Sequence, residues 1–353
     1  MTTAGRSATL RIVGLTFVSQ LWLPAISQGQ AWLPVKRETA VTTTFQQFEL
    51  NGHFDTDGST LEGAVPSRSS LAVAEFEYGL TDKLALNARL FYVASKFTGE
   101  HDPITEELRR IAAEICPLTP RCQELASLDT GGYYATFQDV GLMLRYNLLD
   151  KGLVVTPLVG ATIPTHDYRT VGEAAAGQNL FALHTGVNIG RLLDPLIPRA
   201  YIHARYVYSF VQPVYDISLN RSNAEFEVGY GVTPTVAVRA LAAWQQSHGG
   251  LSWSEAYGQV FDPSGEVRPD VNANDVVALL DHDRLLASRY WHVGGGATVA
   301  LTDSLNLDGA LLTFVSGADT HYGVGLSIGL TWRFLPAAPP SPPTRVRAPL
   351  AMK

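Results

Sequence analysis

The most constraining feature of the sequence is a stretch near its C-terminus, residues 322–334, in which apolar residues alternate with small or polar ones. The apolar positions are Tyr322, Val324, Leu326, Ile328, Leu330, Trp332 and Phe334. Successive side chains of a β-strand point to opposite faces, so one face of this strand is apolar. That face has aromatic residues at both ends of the strand. Such a face is typical of a strand that meets a bilayer and its two interfaces.

The same alternation recurs along most of the chain and predicts further strands. They lie around residues 39–50, 72–80, 84–92, 140–148, 153–163, 181–189, 202–210, 226–230, 236–244, 291–301 and 305–311. The total is about twelve, and bacterial single-chain membrane barrels have an even number of strands. We therefore predict an all-β fold, a single transmembrane antiparallel up-and-down β-barrel.

The connections alternate between long and short along the chain. We predict long ones near residues 51–67, 95–132, 164–178, 211–222 and 249–287, with short helices at 104–115 and 274–286. Short ones are predicted at residues 81–83, 149–152, 232–235 and 302–304, while 191–199 is intermediate and 316–320 is short where a long one is expected. Long external loops opposite short periplasmic turns are the arrangement of outer-membrane barrels, and an even strand count then places both termini in the periplasm.

The two ends of the chain differ from the predicted barrel, residues 32–334. Residues 1–31 are predicted to be a signal peptide, because Arg6 and Arg11 precede a short apolar run and small residues permit cleavage after Ser27 or Ala31. The alternative is a membrane anchor, for which the apolar run is short. Residues 335–353 are rich in proline, which removes hydrogen-bond donors from a sheet, and are predicted to form a disordered periplasmic tail.

Cysteine content and net charge limit the chemistry. In an exported protein, Cys116 and Cys122 are predicted to form a disulfide that closes a small loop, since a metal or redox site lacks further ligands nearby. The net charge of −7 argues against a nucleic-acid partner. We predict no metal and no cofactor. The expected partners are outer-membrane lipid and a small-molecule solute, and the expected state is a monomer, because a closed barrel leaves no free sheet edge.

Charged and polar residues fall on the faces opposite the apolar ones and are predicted to line the lumen. They are Glu75, Glu77, Asn87, Arg89, Asp139, Arg145, His184, His203, Arg205, Glu225, Glu227, Arg239, His292, Asp308 and Arg333. An arginine facing lipid at the bilayer midplane costs about 2–4 kcal/mol. These residues either set the selectivity of a water-filled constriction or pair with one another and fill a narrow barrel. We expect some solute passage in either case.

An enzyme is not expected. A hydrolase needs a nucleophile with a base in reach, and the candidates His248, Ser252 and Ser254 lie in a glycine-containing loop without a G-x-S-x-G motif. The three consecutive residues Asp281, His282 and Asp283 are expected to be solvated rather than to bind a metal. A structural or ligand-binding surface barrel that acts through its external loops remains the main alternative to a channel.

Two resemblances add to this interpretation. The segment that ends in Trp332 and Phe334 resembles the C-terminal assembly signal of outer-membrane proteins, which the barrel-assembly machinery recognises, although here a tail follows. The stretches EYGLTDKL (77–84), GLMLRYN (141–147) and PLVGATIP (157–164) resemble the family of outer-membrane barrels named after the MetA pathway of phenol degradation. That resemblance implies a channel or uptake pore that passes small solutes, with hydrophobic or aromatic compounds among them.

Overall fold

The structure is a computed structural model that describes residues 31–98, 110, 131–171, 175–262 and 267–334. Cys116 and Cys122, the first thirty residues and the proline-rich tail lie outside the described residues. The disulfide, the signal peptide, the tail and the helix at 104–115 therefore stay predictions.

Strands make up most of the described chain, as the alternation predicts. They are β1 Thr39–Phe54, β2 Thr60–Gly79, β3 Leu84–Phe97, β4 Tyr134–Phe137, β5 Val140–Tyr146, β6 Leu149–Lys151, β7 Leu153–Ile163, β8 Ala182–Leu192, β9 Ala200–Val211, β10 Arg221–Gly231, β11 Val236–Ser247, β12 Arg289–Ala300, β13 Leu305–Ala318 and β14 Thr320–Phe334. Between β11 and β12 lie helices α1 Trp253–Val260, α2 Ala273–Leu280 and α3 His282–Leu285. No helix in the described ranges is long and apolar enough to cross a membrane.

The strands form one closed antiparallel barrel. Its closure is the pairing of β1 with β14, which runs from Thr39 opposite Phe334 to Phe54 opposite Thr320. Both β4 and β5 pair with β3, and both β5 and β6 pair with β7, so β4, β5 and β6 are segments of one wall strand. In the described part of the chain the barrel wall therefore has twelve strands, which confirms the predicted fold class.

The two ends of the barrel differ in their connections. At the end where β1 begins and β14 finishes, which we call the turn end, the connections are residues 80–83, 152, 193–199, 232–235 and 301–304. The turn predicted at 149–152 is shorter than expected, because Leu149–Lys151 pairs with β7 and Gly152 alone joins the two strands. The opposite end, the loop end, carries residues 98–133, 164–181, 212–220 and 248–288. The long loop predicted at 51–67 is wrong, because β1 and β2 continue as a hairpin and only residues 55–59 connect them. The helix predicted at 274–286 is divided into α2 and α3.

The outer face of the barrel is apolar and the inner face is layered. On β14 the side chains of Val324, Leu326 and Ile328 are exposed, as a lipid-facing surface requires. The inner face carries most of its charged pairs in a middle layer, and buried polar residues such as His53 and Thr331 also lie near the two ends. Towards the loop end it carries buried apolar residues, among them Phe48, Leu71, Phe91 and Leu312. Towards the turn end a second apolar cluster contains Trp32, Val154, Tyr201 and Ala237. The barrel is therefore a filled structure with a charged layer between two apolar layers.

Candidate functional site

The middle layer of the barrel is built from arginines and acids on neighbouring strands. Among the described residues its ion pairs are Arg89 Nε with Glu75 Oε2 at 3.4 Å, Arg145 with Glu77, Arg205 Nη1 with Glu225 Oε1 at 3.7 Å, and Arg239 Nη1 with Asp308 Oδ1 at 3.5 Å. Apart from the half-buried Glu77, these side chains are buried. The layer therefore holds several charged pairs away from bulk water.

Strand register explains why these residues meet. The tight turn between β2 and β3 places Glu75 opposite Arg89 and Glu77 opposite Asn87. The Asn87 amide donates a hydrogen bond of 2.5 Å to Glu75 Oε1. The pairing of β9 with β10 likewise places Arg205 opposite Glu225. Directly opposed, oppositely charged side chains stabilise antiparallel sheets, so the charged layer also contributes to the stability of the wall.

Arg239 and Asp308 are joined through a third side chain. Thr298, which lies opposite Asp308 in the register of β12 and β13, joins them into a triad. Arg239 Nη1 donates to Thr298 Oγ1 at 2.8 Å, and Thr298 Oγ1 donates to Asp308 Oδ1 at 2.5 Å. This part of the layer has the geometry of a structural ion pair.

The predicted histidines lie in different surroundings. The ring of His184 forms hydrogen bonds with Thr162 Oγ1 at 2.8 Å and Ser209 Oγ at 2.9 Å. His203 is buried beside the charged layer, opposite Glu227. His292 is buried between aromatic rings, with the Phe314 ring centroid 5.6 Å from its own. The three histidines therefore do not form one site.

The remaining predicted residues connect the charged layer to the two ends. Glu227 accepts a hydrogen bond from the Tyr201 hydroxyl near the turn end. At the turn end itself, Arg333 Nη1 lies 3.1 Å from Glu38 Oε1. Sequence reasoning missed Glu38, because it stands immediately before β1 and outside any alternation. Asp139, between β4 and β5, accepts a hydrogen bond of 2.8 Å from Tyr168.

A cavity of about 130 Å³ lies inside the barrel in the charged layer. Its lining includes Asn87, Arg89, Phe91, Met143, Arg205 and Arg221. Arg221 was not among the predicted lumen residues. The available signal was its spacing of two and four residues from Asn223 and Glu225, which also line the cavity. The cavity therefore brings together an arginine-rich wall and apolar side chains.

The N-terminal segment fills the turn end of the barrel. The Ala31 carbonyl accepts a hydrogen bond of 2.6 Å from Thr156 Oγ1. The Trp32 ring lies against the inner wall at Gly190, where a Cβ atom would stand only 2.6 Å from Trp32 Cη2. A glycine at position 190 is therefore what leaves room for the indole.

At the loop end, the described residues 164–171 and 175–181 pack against the segment that carries the helices, with Leu180 and Leu285 in one apolar cluster. Tyr168 enters the apolar layer beneath the loop, and burial together with the Asp139 carboxylate raises the pKa of its hydroxyl well above the usual range. The hydroxyl therefore stays protonated and donates to Asp139. Thr170 Oγ1 donates to Asp281 Oδ1 at 3.0 Å, and Asp281 Oδ2 lies 3.0 Å from Arg284 Nη2. Asp281, expected from the sequence to be solvated, is wholly buried and ties the loop to α3, so that expectation is wrong.

The serine and histidine candidates for a hydrolase do not meet. Ser252 caps α1: its Oγ accepts from the Glu255 backbone N–H at 3.1 Å, and its own N–H donates to Glu255 Oε2 at 2.9 Å. That backbone hydrogen bond lowers the pKa of Glu255. His248 Nε2 instead lies 2.7 Å from Oγ of Ser222, a buried residue, and no recorded contact in the described ranges joins His248 to a carboxylate. A nucleophile, base and orienting acid are thus not assembled among these residues.

A closed barrel of twelve antiparallel strands, apolar outside and charged inside, has the fold of an outer-membrane β-barrel. The structure is similar to the COG4313 outer membrane channel from Pseudomonas putida F1, with a TM-score of 0.60 and 12% sequence identity over 88% of this chain and 100% of that chain. It also matches the NanC porin (TM-score 0.42, 8% identity, 83% and 98% covered) and the CymD monoaromatic hydrocarbon channel (0.40, 10%, 85% and 89%). No family model and no curated protein matches the sequence.

Proposed function

We propose that the protein is a narrow channel in the outer membrane of a Gram-negative bacterium, through which small solutes pass along the inside of the barrel. The observation that carries this proposal is the cavity of about 130 Å³ in the charged layer, enclosed by a wall closed through hydrogen bonding. A barrel that served only as a structural scaffold would need neither this cavity nor buried arginines around it, because filling the space with apolar residues is often as stable.

The apolar layers on either side of the cavity indicate what kind of solute could pass. Trp32 occupies the inside of the turn end and Tyr168 lies inside the loop end. A solute must move past these aromatic rings, which favours small molecules with an apolar body over large hydrated ones. Hydrophobic or aromatic compounds, which the family resemblance implies, fit this requirement and form the finer part of the proposal.

The arrangement in the membrane belongs to the same proposal. The turn end, with both ends of the barrel sequence, faces the periplasm, and the loop end with its helices faces the outside. The barrel is a monomer inserted by the barrel-assembly machinery. The exposed apolar side chains of Leu326 and Ile328 on the outer face support this placement in a membrane.

Single-channel conductance of the purified, refolded protein in a planar bilayer tests the channel. We expect discrete steps whose ion selectivity shifts in Arg89→Ala and Arg145→Ala, because both arginines lie in the charged layer. Arg268→Ala is the matched control, since Arg268 is exposed in the loop after α1 and pairs with Asp270. A folded barrel that passes no current under any applied voltage would contradict the channel.

The alternative is a surface barrel that binds a ligand through its external loops. The tie between Thr170 and Asp281, which holds loop residues against α3, favours an ordered loop surface. Under this alternative the barrel is silent in the bilayer, and deletion of residues 253–285 abolishes ligand binding while the barrel still folds.

A further inference from the structure

We propose that the cavity in the charged layer is a binding site for a small organic carboxylate whose apolar body is about the size of a single ring. The inference rests on the proposed channel and deepens it, because it names the chemical class of the solute. It is carried by three properties of the cavity: its charge, its unpartnered donors, and its size and apolar walls.

The first property is an excess of positive charge. Arg89, Arg205 and Arg221 line the cavity within the described part of the chain, and Glu225 is the acid among its lining residues. Glu225 Oε1 lies 3.7 Å from Arg205 Nη1, and Glu75 Oε2, behind the lining, lies 3.4 Å from Arg89 Nε. The two acids offset part of the charge of the three arginines, and one positive charge remains in excess. The surroundings are buried, where charges are weakly screened and a counter-charge is stabilising. The cavity therefore favours an anion over a neutral or cationic molecule.

The second property is a set of buried donors that lack acceptors. The Arg89 and Arg205 side chains are 8% and 6% exposed. Arg89 Nη2 and Arg205 Nε have no hydrogen-bond partner in the ranges that the structure describes. Arg221 differs, because its Nη1 already donates to Gln178 at 2.7 Å. Buried charged donors are costly to leave unpaired, and a carboxylate offers about four acceptor positions, which suits two guanidinium groups.

The third property is the size and character of the remaining wall. Phe91, Met143 and Val207 contribute apolar surface to the same cavity. Its volume of about 130 Å³ is close to that of an engineered protein cavity of about 150 Å³ that binds benzene. A ring or a short branched chain can contact this wall while its carboxylate reaches the arginines. A simple inorganic anion would satisfy the donors but leave the apolar wall without a partner.

Isothermal titration calorimetry on the folded protein in detergent micelles, in a buffer low in chloride, tests the site with benzoate as the probe. Benzyl alcohol, benzylamine and acetate serve as comparisons, since they remove the charge, reverse it or remove the ring. We expect benzoate to bind about tenfold more tightly than benzyl alcohol, because a charge-assisted hydrogen bond contributes a factor of that order. We expect acetate to bind about tenfold more weakly than benzoate as well, because it lacks the ring that buries apolar surface against the wall. Benzylamine is expected not to bind.

Variants assign the binding to the cavity. Arg89→Gln and Arg205→Gln are each expected to weaken benzoate binding about tenfold while the affinity for benzyl alcohol changes little. Arg205→Lys keeps the charge but loses the planar fork and should give an intermediate loss. Arg268→Gln, which removes the same charge from an exposed loop, should leave binding unchanged. If Arg205→Gln does not fold, the neutral pair Arg205→Gln with Glu225→Gln replaces it.

The outcomes separate the site from the channel. Benzoate and benzyl alcohol binding with equal affinity, in a barrel that conducts, would overturn the carboxylate site and leave the channel standing. Tight benzoate binding that depends on Arg89 and Arg205, in a barrel that passes no current, would support the site and contradict the channel. Benzoate binding that is unaffected by both arginine variants would overturn the assignment to this cavity.

Discussion

Trp32 packs edge-on against Tyr201 inside the turn end of the barrel, with their ring centroids 6.2 Å apart and their planes at 88°. Tyr201 in turn lies against Gly229, where a Cβ atom would overlap its ring, and donates a hydrogen bond to Glu227. The N-terminal segment is thereby connected through one aromatic pair to the charged layer. This arrangement holds Ala31 and Trp32 inside the turn end of the barrel.

Removing the indole should open the turn end. Trp32→Ala takes away the ring that fills this part of the lumen, and Gly190→Val should displace the same ring by occupying its place on the wall. We expect both variants to show larger conductance steps than the unaltered protein in a planar bilayer. Trp332→Ala removes an exposed tryptophan of the outer face and should leave the conductance unchanged. Equal conductance in all the proteins would show that the segment leaves the lumen in the conducting state.

Removing one member of the Arg239–Asp308 pair should destabilise the protein, whereas replacing both members by apolar residues should change its stability little. In Arg239→Met the Asp308 carboxylate keeps its bond to Thr298 but loses its counter-charge in a buried position, and we expect a loss of about 3–5 kcal/mol in the free energy of unfolding. The double variant Arg239→Met with Asp308→Leu removes both charges of this pair and should recover most of that loss. Reversible urea unfolding in detergent measures both.

A control for this comparison is the exposed pair of Arg268 and Asp270, whose atoms lie 3.1 Å apart. Arg268→Met should leave the unfolding midpoint unchanged, because solvent screens exposed ion pairs. A double variant at Arg239 and Asp308 that is as unstable as the single one would contradict the view that the pair is structural, and would indicate a required charge in the lumen.

Substitution of one lipid-facing leucine tests the placement in the membrane. Leu326, 51% exposed, lies in the middle of the apolar band of β14, and Leu326→Lys should cost about 2–4 kcal/mol if that position is at the bilayer midplane. Leu196→Lys is the matched control, since Leu196 is 82% exposed in a turn outside the strands. Folding into liposomes measures the difference, and an equal effect of the two substitutions would contradict a membrane-embedded outer face.

The position of signal cleavage can be inferred from the contacts of Ala31. Its side chain is buried in the apolar cluster at the turn end, and its carbonyl accepts the hydrogen bond from Thr156. Cleavage after Ser27 keeps this residue in the mature chain, whereas cleavage after Ala31 removes it. We therefore predict cleavage after Ser27, which the intact mass of the exported protein measures directly. A mature chain that begins at Trp32 would contradict this prediction.

The sequence predicts the wall of this barrel well, because the alternation of apolar and polar residues can be seen within each strand alone. Glu75 and Arg89 could also be paired in advance, since a single tight turn separates their strands. Alternation does not, however, say how deep in the barrel a residue lies. The sequence therefore does not predict that the inward-facing Phe48 and Leu71 form an apolar layer of their own, at a different depth from the charged residues.

The contents of the barrel depend on contacts between distant segments, which the sequence does not show. Trp32 enters the lumen because Gly190 leaves space for it, and these residues belong to segments with no local connection. Arg221 begins β10 directly after a loop, so its face could be identified only from the alternation that follows it, at Asn223 and Glu225. The cavity itself is lined by residues of seven strands, β3, β5 and β7–β11, so it forms only when the barrel closes.

The final strand offers a test of the assembly signal that the sequence suggests. Trp332 and Phe334 stack on the outer face with ring centroids 5.3 Å apart, and Phe334 lies opposite Thr39 at the seam where β14 meets β1. If the strand is recognised before the barrel closes, Phe334→Ala should lower the yield of heat-modifiable barrel in outer membranes severalfold. Phe45→Ala removes a ring from the neighbouring strand that is equally exposed, at 47%, and should have a much smaller effect. Recognition by the assembly machinery would involve only the ring at the end of the last strand. Equal losses of yield in Phe334→Ala and Phe45→Ala would therefore mean that each ring acts through its contact with lipid, and would contradict the assembly signal.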